Sequence, residues 1–236
     1  MRCRSRSSLR PQRALRYGNV LETTCNHERG NIMKLMAIIG SPRKGGNTEL
    51  LVDKVVEGCG SKAAVAVEKI VITDKNIQQC NGCLTCTFPP PGTGKCVLRD
   101  DMDELLEHIQ TSDALVFGTP NHMRTVSAPM LNFLARMLPL LRYEIEYDAK
   151  GNMIGAEGVS KIQDKKAAMV ISQGDPFFSS PLVHMVLERN LRDFRLKLVG
   201  DVISTGNLQK QDVAAKAEDL QKAFDLGAKL ATWSGF

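Results

Sequence analysis

Short apolar runs rich in β-branched residues alternate with longer segments of helical periodicity from Leu35 onward. The strand-like runs are 35–40, 68–72, 114–118, 167–172 and 198–204. The helical segments are 47–58, 101–110, 126–142, 181–195 and 211–231. Strands that alternate with helices pair in parallel and need cover on both faces, so this pattern predicts a doubly wound α/β fold.

Five such units between residues 34 and 236 predict one flavodoxin-like domain, whose five parallel strands have the order 2-1-3-4-5 with helices on both faces. Right-handed crossovers in such a sheet leave a ligand crevice at the carboxyl ends of the strands. Residues 143–166 interrupt the alternation with a Lys-Gly-Asn turn flanked by Tyr and Ile. We therefore expect a hairpin-like insertion there that covers the crevice or a subunit interface.

The net positive charge is concentrated ahead of the predicted domain. The chain carries a net charge of +5, and residues 1–33 contain seven arginines and two glutamates. The remainder is therefore neutral, which argues against a nucleic-acid partner. We expect residues 1–33 to be a disordered extension or an over-called start rather than a targeting signal. No run approaches the ~18 apolar residues of a membrane span, so we expect a cytoplasmic protein without a membrane partner.

The segment after the first predicted strand reads GSPRKGGNTELL, residues 40–51. Its glycines let a ligand approach the backbone, and its short polar side chains supply donors at a helix N-terminus whose dipole attracts an anion. The candidate ligands are Ser41, Arg43, Gly46, Asn47 and Thr48. The pattern is neither GxxxxGK[ST] nor GxGxxG, which argues against a P-loop NTPase and a dinucleotide fingerprint. It fits a phosphate monoester, and a purely structural turn is the alternative.

Four of the seven cysteines lie within the segment 80–96. They are Cys80, Cys83, Cys86 and Cys96. The C-x2-C-x2-C spacing resembles the ligand run of ferredoxins and favours a [4Fe–4S] cluster, with zinc or free, redox-active thiols as the alternatives. Disulfides are disfavoured because no secretory signal is present. We expect Cys59 to be a small buried residue, and Asp100 and Asp101 to be the N-cap and first-turn charges of the next helix.

Three motifs together carry a resemblance to a known family. They are GSPRKGGNTELL, CNGCLTC followed by CVLRDDM, and FGTPNHMRTVSAPMLNFLARM. In order and spacing the chain resembles the NADPH-dependent FMN reductase-like flavoproteins over roughly residues 34–205, and most closely their iron–sulfur flavoprotein branch. The resemblance implies that the loop at 40–51 holds the FMN phosphate. It also implies that the flavin ring is bordered by Pro120, Asn121, His122, Met123, Gln173 and Gly174.

Two features depart from the family pattern. His122 stands where family members commonly have a tyrosine that packs near the flavin, which changes the expected stacking. The lysine and aspartate of the family's third-motif helix are missing, and Ala135 precedes Arg136. We therefore expect this helix to assemble subunits differently.

The resemblance implies an FMN-dependent NAD(P)H oxidoreductase without a catalytic side chain, because the flavin carries the chemistry. Electrons from NADH or NADPH would pass through FMN and the cluster to a small-molecule or protein acceptor. The alternatives are a flavodoxin-like carrier without its own substrate, a quinone-type reductase without a cluster, and a zinc-stabilised binding protein. We also predict a homodimer or homotetramer. The apolar face of Val126, Met130, Phe133 and Met137 would either join the subunits or cover the sheet.

Overall fold

The computed structural model describes residues 32–89, 92–177 and 181–235. The strands are β1 (Met33–Ile39), β2 (Val65–Val71), β3 (Ala114–His122), β4 (Thr125–Val126), β5 (Leu141–Tyr147), β6 (Met153–Ser160), β7 (Lys166–Ser172) and β8 (Lys197–Ser204). The α-helices are α1 (Asn47–Gly60), α2 (Met102–Thr111), α3 (Ala128–Arg136), α4 (Pro181–Asp193) and α5 (Ala217–Thr232).

Five parallel strands form the central sheet in the order β2-β1-β3-β7-β8, and the short β4 pairs antiparallel with the end of β3. The predicted order is therefore confirmed. Alternate residues of β1 enter the two halves of the core, because successive side chains of a strand point to opposite faces. Helices α2, α3 and α4 cover one face, and α1 and α5 cover the other.

Helices α1 and α5 pack closely because glycines face each other where they touch. A Cβ on Gly58 would lie 1.9 Å from the carbonyl oxygen of Phe224, and one on Gly227 would lie 1.9 Å from that of Val55. The thiol of Cys59 donates to the Gly227 carbonyl at 3.1 Å. Burial raises the pKa of this thiol to about 12, against a small opposing effect of a nearby lysine. Cys59 is thus the buried structural residue that the sequence predicts.

The third helix is shorter than predicted. It ends at Arg136, a 3₁₀ turn follows at Leu138–Leu140, and β5 begins at Leu141. Pro139 accounts for the difference, because proline has no N–H to donate and disfavours the helical conformation of the preceding residue.

The apolar face predicted on this segment is buried within the chain. Its members are Val126, Met130, Phe133 and Met137, each at most 1% exposed and packed in the core under the sheet. The alternative that this face covers the sheet is therefore confirmed, and its proposed use between subunits is wrong. The homodimer stays a prediction that needs another surface.

Residues within the predicted insertion form an antiparallel hairpin of β5 and β6. Asp148 organises its turn, because one carboxylate oxygen accepts from the N–H groups of Lys150 and Asn152 at 2.8 Å each. Beyond the hairpin, the Lys161 ammonium donates to the Gly94 carbonyl at 3.1 Å, which links this region to the cysteine segment. Its predicted role in covering the crevice or an interface stays a prediction.

Most of the predicted extension, residues 1–31, lies outside the described residues. In the part of the chain that is described, no helix is both long enough and apolar enough to cross a bilayer.

Candidate functional site

Three loops converge at the carboxyl edge of the central sheet. They follow β1, β3 and β7, which are neighbours in the sheet. The Gly40 N–H donates to the Gly118 carbonyl at 2.8 Å, and the Asn121 amide donates to the Gln173 side-chain oxygen at 2.9 Å. The fold thus brings the predicted phosphate loop and flavin-edge residues to one crevice, where doubly wound sheets bind ligands.

Backbone hydrogen bonds shape the phosphate loop, residues 40–46. The Gly46 N–H donates to the Arg43 carbonyl at 2.9 Å, and Gly45 has a left-handed φ of +61° that favours glycine. The Arg43 N–H donates to the Ser41 hydroxyl oxygen at 3.2 Å, a bond that does not use the hydroxyl proton. Gly46 is the N-cap of α1 and provides no side-chain cap, so no capping side chain takes up the first N–H groups of the helix.

The first two side chains of α1, Asn47 and Thr48, make different contacts. The Asn47 amide nitrogen donates to the carbonyls of Gln209 at 2.7 Å and Asn207 at 3.4 Å. Its oxygen accepts from the Val213 N–H at 3.1 Å. The side chain therefore ties α1 to the segment after β8, and its predicted phosphate contact is left to its backbone N–H. Thr48 is 2% exposed, and within the described residues its hydroxyl has no hydrogen-bond partner.

Glu49 holds the phosphate loop from inside α1. One carboxylate oxygen accepts from the Gly45 N–H at 2.6 Å, and the other pairs with Lys69 at 3.0 Å. Burial alone would raise the pKa of Glu49, but the Gly45 N–H and Lys69 outweigh it and lower the pKa. Sequence reasoning missed this residue, because an acidic side chain in a first helical turn is common for dipole reasons alone.

Ser127 joins the start of α3 to the phosphate loop. Its hydroxyl donates to the Gly40 carbonyl at 2.7 Å and, as the N-cap, accepts from the Met130 N–H at 3.3 Å. Gly40 cannot be larger without a shift, because a Cβ there would lie 2.8 Å from the Cβ of Met130. The Ser127 N–H donates to the Thr119 hydroxyl at 3.0 Å. These buried bonds fix the ends of β1 and β3 relative to α3.

The residues predicted as a loop after the third strand belong mostly to the strand itself. β3 continues through His122 and turns back into β4 by way of Met123 and Arg124, whose φ values are 50° and 66°. Two successive positive φ values are typical of a tight hairpin turn. His122 is exposed, and Met123 is 96% exposed. Pro120 and Asn121 lie deeper, at the level of the crevice.

Asn121 and Gln173 form the polar back of the crevice. The Gln173 amide nitrogen donates to the Asp175 carbonyl at 2.7 Å, which orients its oxygen toward the Asn121 amide. The Asn121 side-chain oxygen is buried and has no hydrogen-bond partner among the described residues. Beside them, Gly174 lies under Leu208, since a Cβ on the glycine would lie 3.2 Å from a Leu208 methyl carbon. A buried acceptor without a partner is what a ligand donor can satisfy.

The segment 205–211, after β8, encloses the phosphate loop and was missed by sequence reasoning. Asn207 is 6% exposed and donates to the Ser204 hydroxyl at 2.8 Å, and its oxygen accepts from Lys216 at 2.8 Å. The Arg43 guanidinium donates to the Leu208 carbonyl at 3.5 Å. The only signal in the sequence was a Thr-Gly-Asn turn after the last strand.

The four predicted ligand cysteines line one small pocket, which we call the cysteine pocket. It encloses about 30 Å³ and also contacts Ala135, Arg136, Leu138 and Pro139 at the end of α3. All five described cysteines are free thiols. Across residues 32–89, 92–177 and 181–235, no three His, Cys, Asp or Glu side chains are close enough together to hold a metal ion. The pocket therefore collects the thiols without placing them in a ligating geometry.

A buried ion pair lies beside this pocket. The Arg136 guanidinium donates to the two carboxylate oxygens of Asp100 at 2.7 and 2.9 Å, and the two side chains are 1% and 0% exposed. Burial alone would raise the pKa of Asp100, but the Arg136 hydrogen bond outweighs it and lowers the pKa. The prediction that Asp100 and Asp101 serve the following helix is incomplete. Asp100 does accept from the Met102 N–H at 3.0 Å, whereas the Asp101 carboxylate accepts from the Asn76 N–H at 2.8 Å.

Helix α3 connects the crevice with the cysteine pocket. Its N-cap, Ser127, binds the phosphate loop, and its last residues, Ala135 and Arg136, line the pocket. In its middle, the Asn132 side-chain oxygen accepts from the Cys80 N–H at 3.3 Å. Nine helical residues span about 13 Å, so the two regions lie about one short helix apart in a single chain.

A family model described as NADPH-dependent FMN reductase matches residues 33–174, more than half of the chain. An iron–sulfur flavoprotein of Archaeoglobus fulgidus is 32% identical over 200 residues, which cover 84% of this chain and 79% of the relative. The chain belongs to the NADPH-dependent FMN reductase family. It is accordingly an NAD(P)H-dependent, FMN-containing oxidoreductase. Within the family, an iron–sulfur flavoprotein of Methanocaldococcus jannaschii is 29% identical, and the match covers 84% of this chain and 96% of that relative.

Solved structures agree on the fold. An FMN-dependent NADH-azoreductase of Bacillus anthracis, solved in complex with FMN, has a TM-score of 0.62 at 12% identity and covers 85% of this chain and 100% of its own. An NAD(P)H:quinone oxidoreductase of Methanothermobacter marburgensis has a TM-score of 0.59 at 17% identity. The match covers 85% of this chain and 98% of that protein. At these identities the similarity establishes the flavodoxin-like sheet and nothing about substrate.

Proposed function

We propose that this FMN reductase-family chain exchanges electrons between FMN and a [4Fe–4S] cluster held by Cys80, Cys83, Cys86 and Cys96. One observation carries the proposal: the four thiols share a pocket at one end of the helix whose other end is bonded to the phosphate loop. When bound, FMN would supply the conversion between hydride transfer from NADH or NADPH and single-electron transfer through the cluster.

The residues of the crevice fit FMN. The hydroxyls of Ser41 and Thr48 and the open N-terminus of α1 suit a phosphate dianion, and Arg43 carries no ion pair within the described residues. The partnerless oxygen of Asn121 is an acceptor for an N–H or hydroxyl of the ligand. Gln173 positions Asn121 for this task, and Gly174 leaves space beside the strand end.

The cysteine pocket fits the cluster in its donor set. Four thiols line one apolar pocket and supply the ligands for an iron–sulfur centre, beside a buried guanidinium whose charge Asp100 balances. The pocket's volume of about 30 Å³ holds about two water molecules, so the thiols must reorient when iron binds. Such coupling of metal binding to local folding is common, because ligand geometry rarely pre-exists.

The crevice has an open, partly apolar rim, where an electron acceptor would dock. Three exposed side chains stand around the crevice, Met123 at 96%, Phe177 at 88% and Leu208 at 65%. Apolar, exposed rims bind flat aromatic molecules and protein surfaces alike. We propose that a small-molecule or protein acceptor docks there, and that the exposed His122 borders it.

A second candidate is an NAD(P)H-dependent FMN oxidoreductase that holds no cluster and uses its cysteines as thiols. It is favoured by the absence, within the described residues, of any group of three side chains already placed to hold a metal ion. In that case electrons leave directly from the crevice to the acceptor.

Anaerobic purification followed by absorbance spectroscopy and metal analysis separates the two candidates. The cluster proposal expects flavin bands with a broad iron–sulfur shoulder, and iron and acid-labile sulfide in equal amounts. It is rejected if FMN-loaded protein, reconstituted anaerobically with iron and sulfide, contains zinc or no metal. Bleaching of the flavin bands by NADH or NADPH then tests the reductase activity and identifies the donor.

A further inference from the structure

Apart from the cysteines, Arg136 is the one ionisable side chain among the described residues that line the cysteine pocket. It is 1% exposed, and its ion-pair partner Asp100 is 0% exposed. A buried pair of this kind gains little for stability over apolar packing, so its presence beside four thiols calls for another explanation.

The hydrogen bonds of the guanidinium leave one edge open. Both terminal nitrogens of the guanidinium donate to the Asp100 carboxylate. One of them also donates to the Gln78 carbonyl at 2.6 Å. The Nε–H is buried and has no partner in the described part of the chain. Buried donors are almost always satisfied, so an open Nε–H in the wall of a pocket indicates a missing acceptor.

Cys96, which lines the same pocket, is the candidate for that acceptor. Burial alone would lower the pKa of Arg136, but the hydrogen bond and charge of Asp100 outweigh it and raise the pKa. The charge and hydrogen-bonding capacity of Cys96 add to this rise. Arg136 and Cys96 line the same pocket, and no hydrogen bond joins them in the described residues. A thiol that reorients to bind iron and reaches this edge would accept the Nε–H.

We propose that Arg136 is a positioning residue for the cluster, whose Nε–H donates to a sulfur of the cysteine pocket while Asp100 holds the guanidinium in place. The inference rests on the cluster proposed above. A hydrogen-bond donor at the positive end of the Arg136–Asp100 pair, next to sulfur, stabilises the more negative, reduced state of an iron–sulfur centre, so Arg136 raises its reduction potential.

The test compares two variants with the parent protein, each reconstituted with iron and sulfide and titrated against redox mediators. Arg136→Lys keeps the charge and removes the Nε–H, and the double variant Asp100→Asn with Arg136→Gln removes both charges together, so neither is left unpaired. We expect full iron loading and a reduction equilibrium of the cluster shifted about tenfold toward the oxidised form in the double variant, which is about 59 mV for one electron. Arg136→Lys should shift it in the same direction by less.

Arg99→Gln is the matched control. Arg99 donates to the Cys96 carbonyl at 3.2 Å, but its side chain is 70% exposed and lies outside the pocket lining, so its loss should leave the cluster potential within error of the parent. The potential of FMN should be the same in all variants. If the double variant fails to fold, Arg136→Lys decides the question.

The outcomes separate the two proposals. A parent protein that binds no iron overturns the cluster and, with it, the role of Arg136. A parent that loads iron, with a cluster potential unchanged in Arg136→Lys and in the double variant, overturns the role of Arg136 alone.

Discussion

The crevice at the carboxyl edge of the sheet and the cysteine pocket lie at opposite ends of α3, and they differ in how far the chain alone builds them. The crevice is braced by hydrogen bonds of 2.6–3.3 Å that involve Gly40, Gly45, Asn121 and Ser127. The pocket gathers four thiols, but no three of its described side chains are placed to hold a metal ion. A crevice between parallel strands follows from topology, whereas a metal site takes its geometry from the metal.

Each region keeps one buried polar atom without a hydrogen-bond partner among the described residues, an acceptor in the crevice and a donor in the pocket. They are the Asn121 side-chain oxygen and the Arg136 Nε–H. The regions differ in their surroundings, because the Glu49 carboxylate braces the crevice through the Gly45 N–H and Lys69, whereas the thiols of the pocket are not in a ligating geometry. The pocket is therefore the region we expect to change most when its ligand binds.

The largest expected effect comes from removing a pocket thiol. Cys83→Ser should abolish iron binding almost completely while FMN stoichiometry stays at the parent value, because the thiol lies on a different connection from the phosphate loop. Cys83 is exposed, and hydrogen bonds from the N–H and hydroxyl of Thr85 lower its pKa, which favours the ligating thiolate. Iron and flavin are measured on the same anaerobic sample.

Cys59→Ala is the control for this prediction, because Cys59 is the described cysteine that lies outside the pocket. It should retain iron. Loss of iron in both variants would mean that general destabilisation, not ligation, removes the metal, and unchanged iron in Cys83→Ser would contradict the ligand assignment.

Much of the fold could be predicted because its signals are local. Runs such as 35–40 and 114–118 are apolar on both sides, as strands covered on two faces must be, and the strand order was correct. The predicted end of α3 lies beyond the observed one at Arg136, because the apolar periodicity continues past this residue and hides the effect of Pro139. Periodicity also could not distinguish a face that covers the sheet from one that joins subunits, and the burial of Phe133 decides this.

The site was predictable where it depends on chain order and unpredictable where it depends on distant contacts. Loops after adjacent strands must meet, so the grouping of Ser41, Asn121 and Gln173 follows from topology. The contacts of Asn47 with residues 207–213 join positions more than 150 apart, and no local pattern reports them. No local pattern reports the pair of Asp100 with Arg136 either, which joins positions 36 apart.

Asn47→Asp should have the next largest effect, and it tests whether the crevice is braced by the chain itself. The new carboxylate would face the carbonyls of Gln209 and Asn207, so one partly buried and one buried acceptor lose their donor and gain a repulsive neighbour. We expect the free energy of unfolding of the FMN-free protein to fall by about 3 kcal/mol, measured by urea denaturation. Asn190→Asp, whose amide makes a single bond to the Val186 carbonyl, should cost less than about 1 kcal/mol. Loss of FMN with unchanged stability would instead assign the Asn47 side chain to the phosphate.

Thr48→Val should show the opposite behaviour. Valine keeps the shape of threonine, so the packing of the Thr48 methyl group near Gly118 is preserved and only the hydroxyl is lost. We expect the Kd of FMN to rise about tenfold, equivalent to about 1.4 kcal/mol, with little change in the stability of the FMN-free protein. Flavin fluorescence during titration measures the Kd. Thr48→Ser keeps the hydroxyl and should bind FMN like the parent, and equal affinities of the serine and valine variants would exclude the hydroxyl as a ligand.

The smallest expected effect concerns Glu49, and its pH dependence shows how firmly the phosphate loop is held. The pKa of Glu49 is lowered in the folded chain relative to its ordinary value of 4.5, so its contribution to stability is complete above that value and is lost as the pH falls through the folded pKa. Glu49→Gln should therefore reduce the free energy of unfolding by about 1 kcal/mol at pH 7, and the difference from the parent should shrink as the pH falls below the ordinary value and through the folded pKa. Urea denaturation across this range provides the measurement. Glu57→Gln, which removes only an exposed partner of Lys54, should change stability at pH 7 by less than about 0.5 kcal/mol. A difference for Glu49→Gln that grows as the pH falls would reverse the sign and mean that the Gly45 N–H and Lys69 do not stabilise the carboxylate.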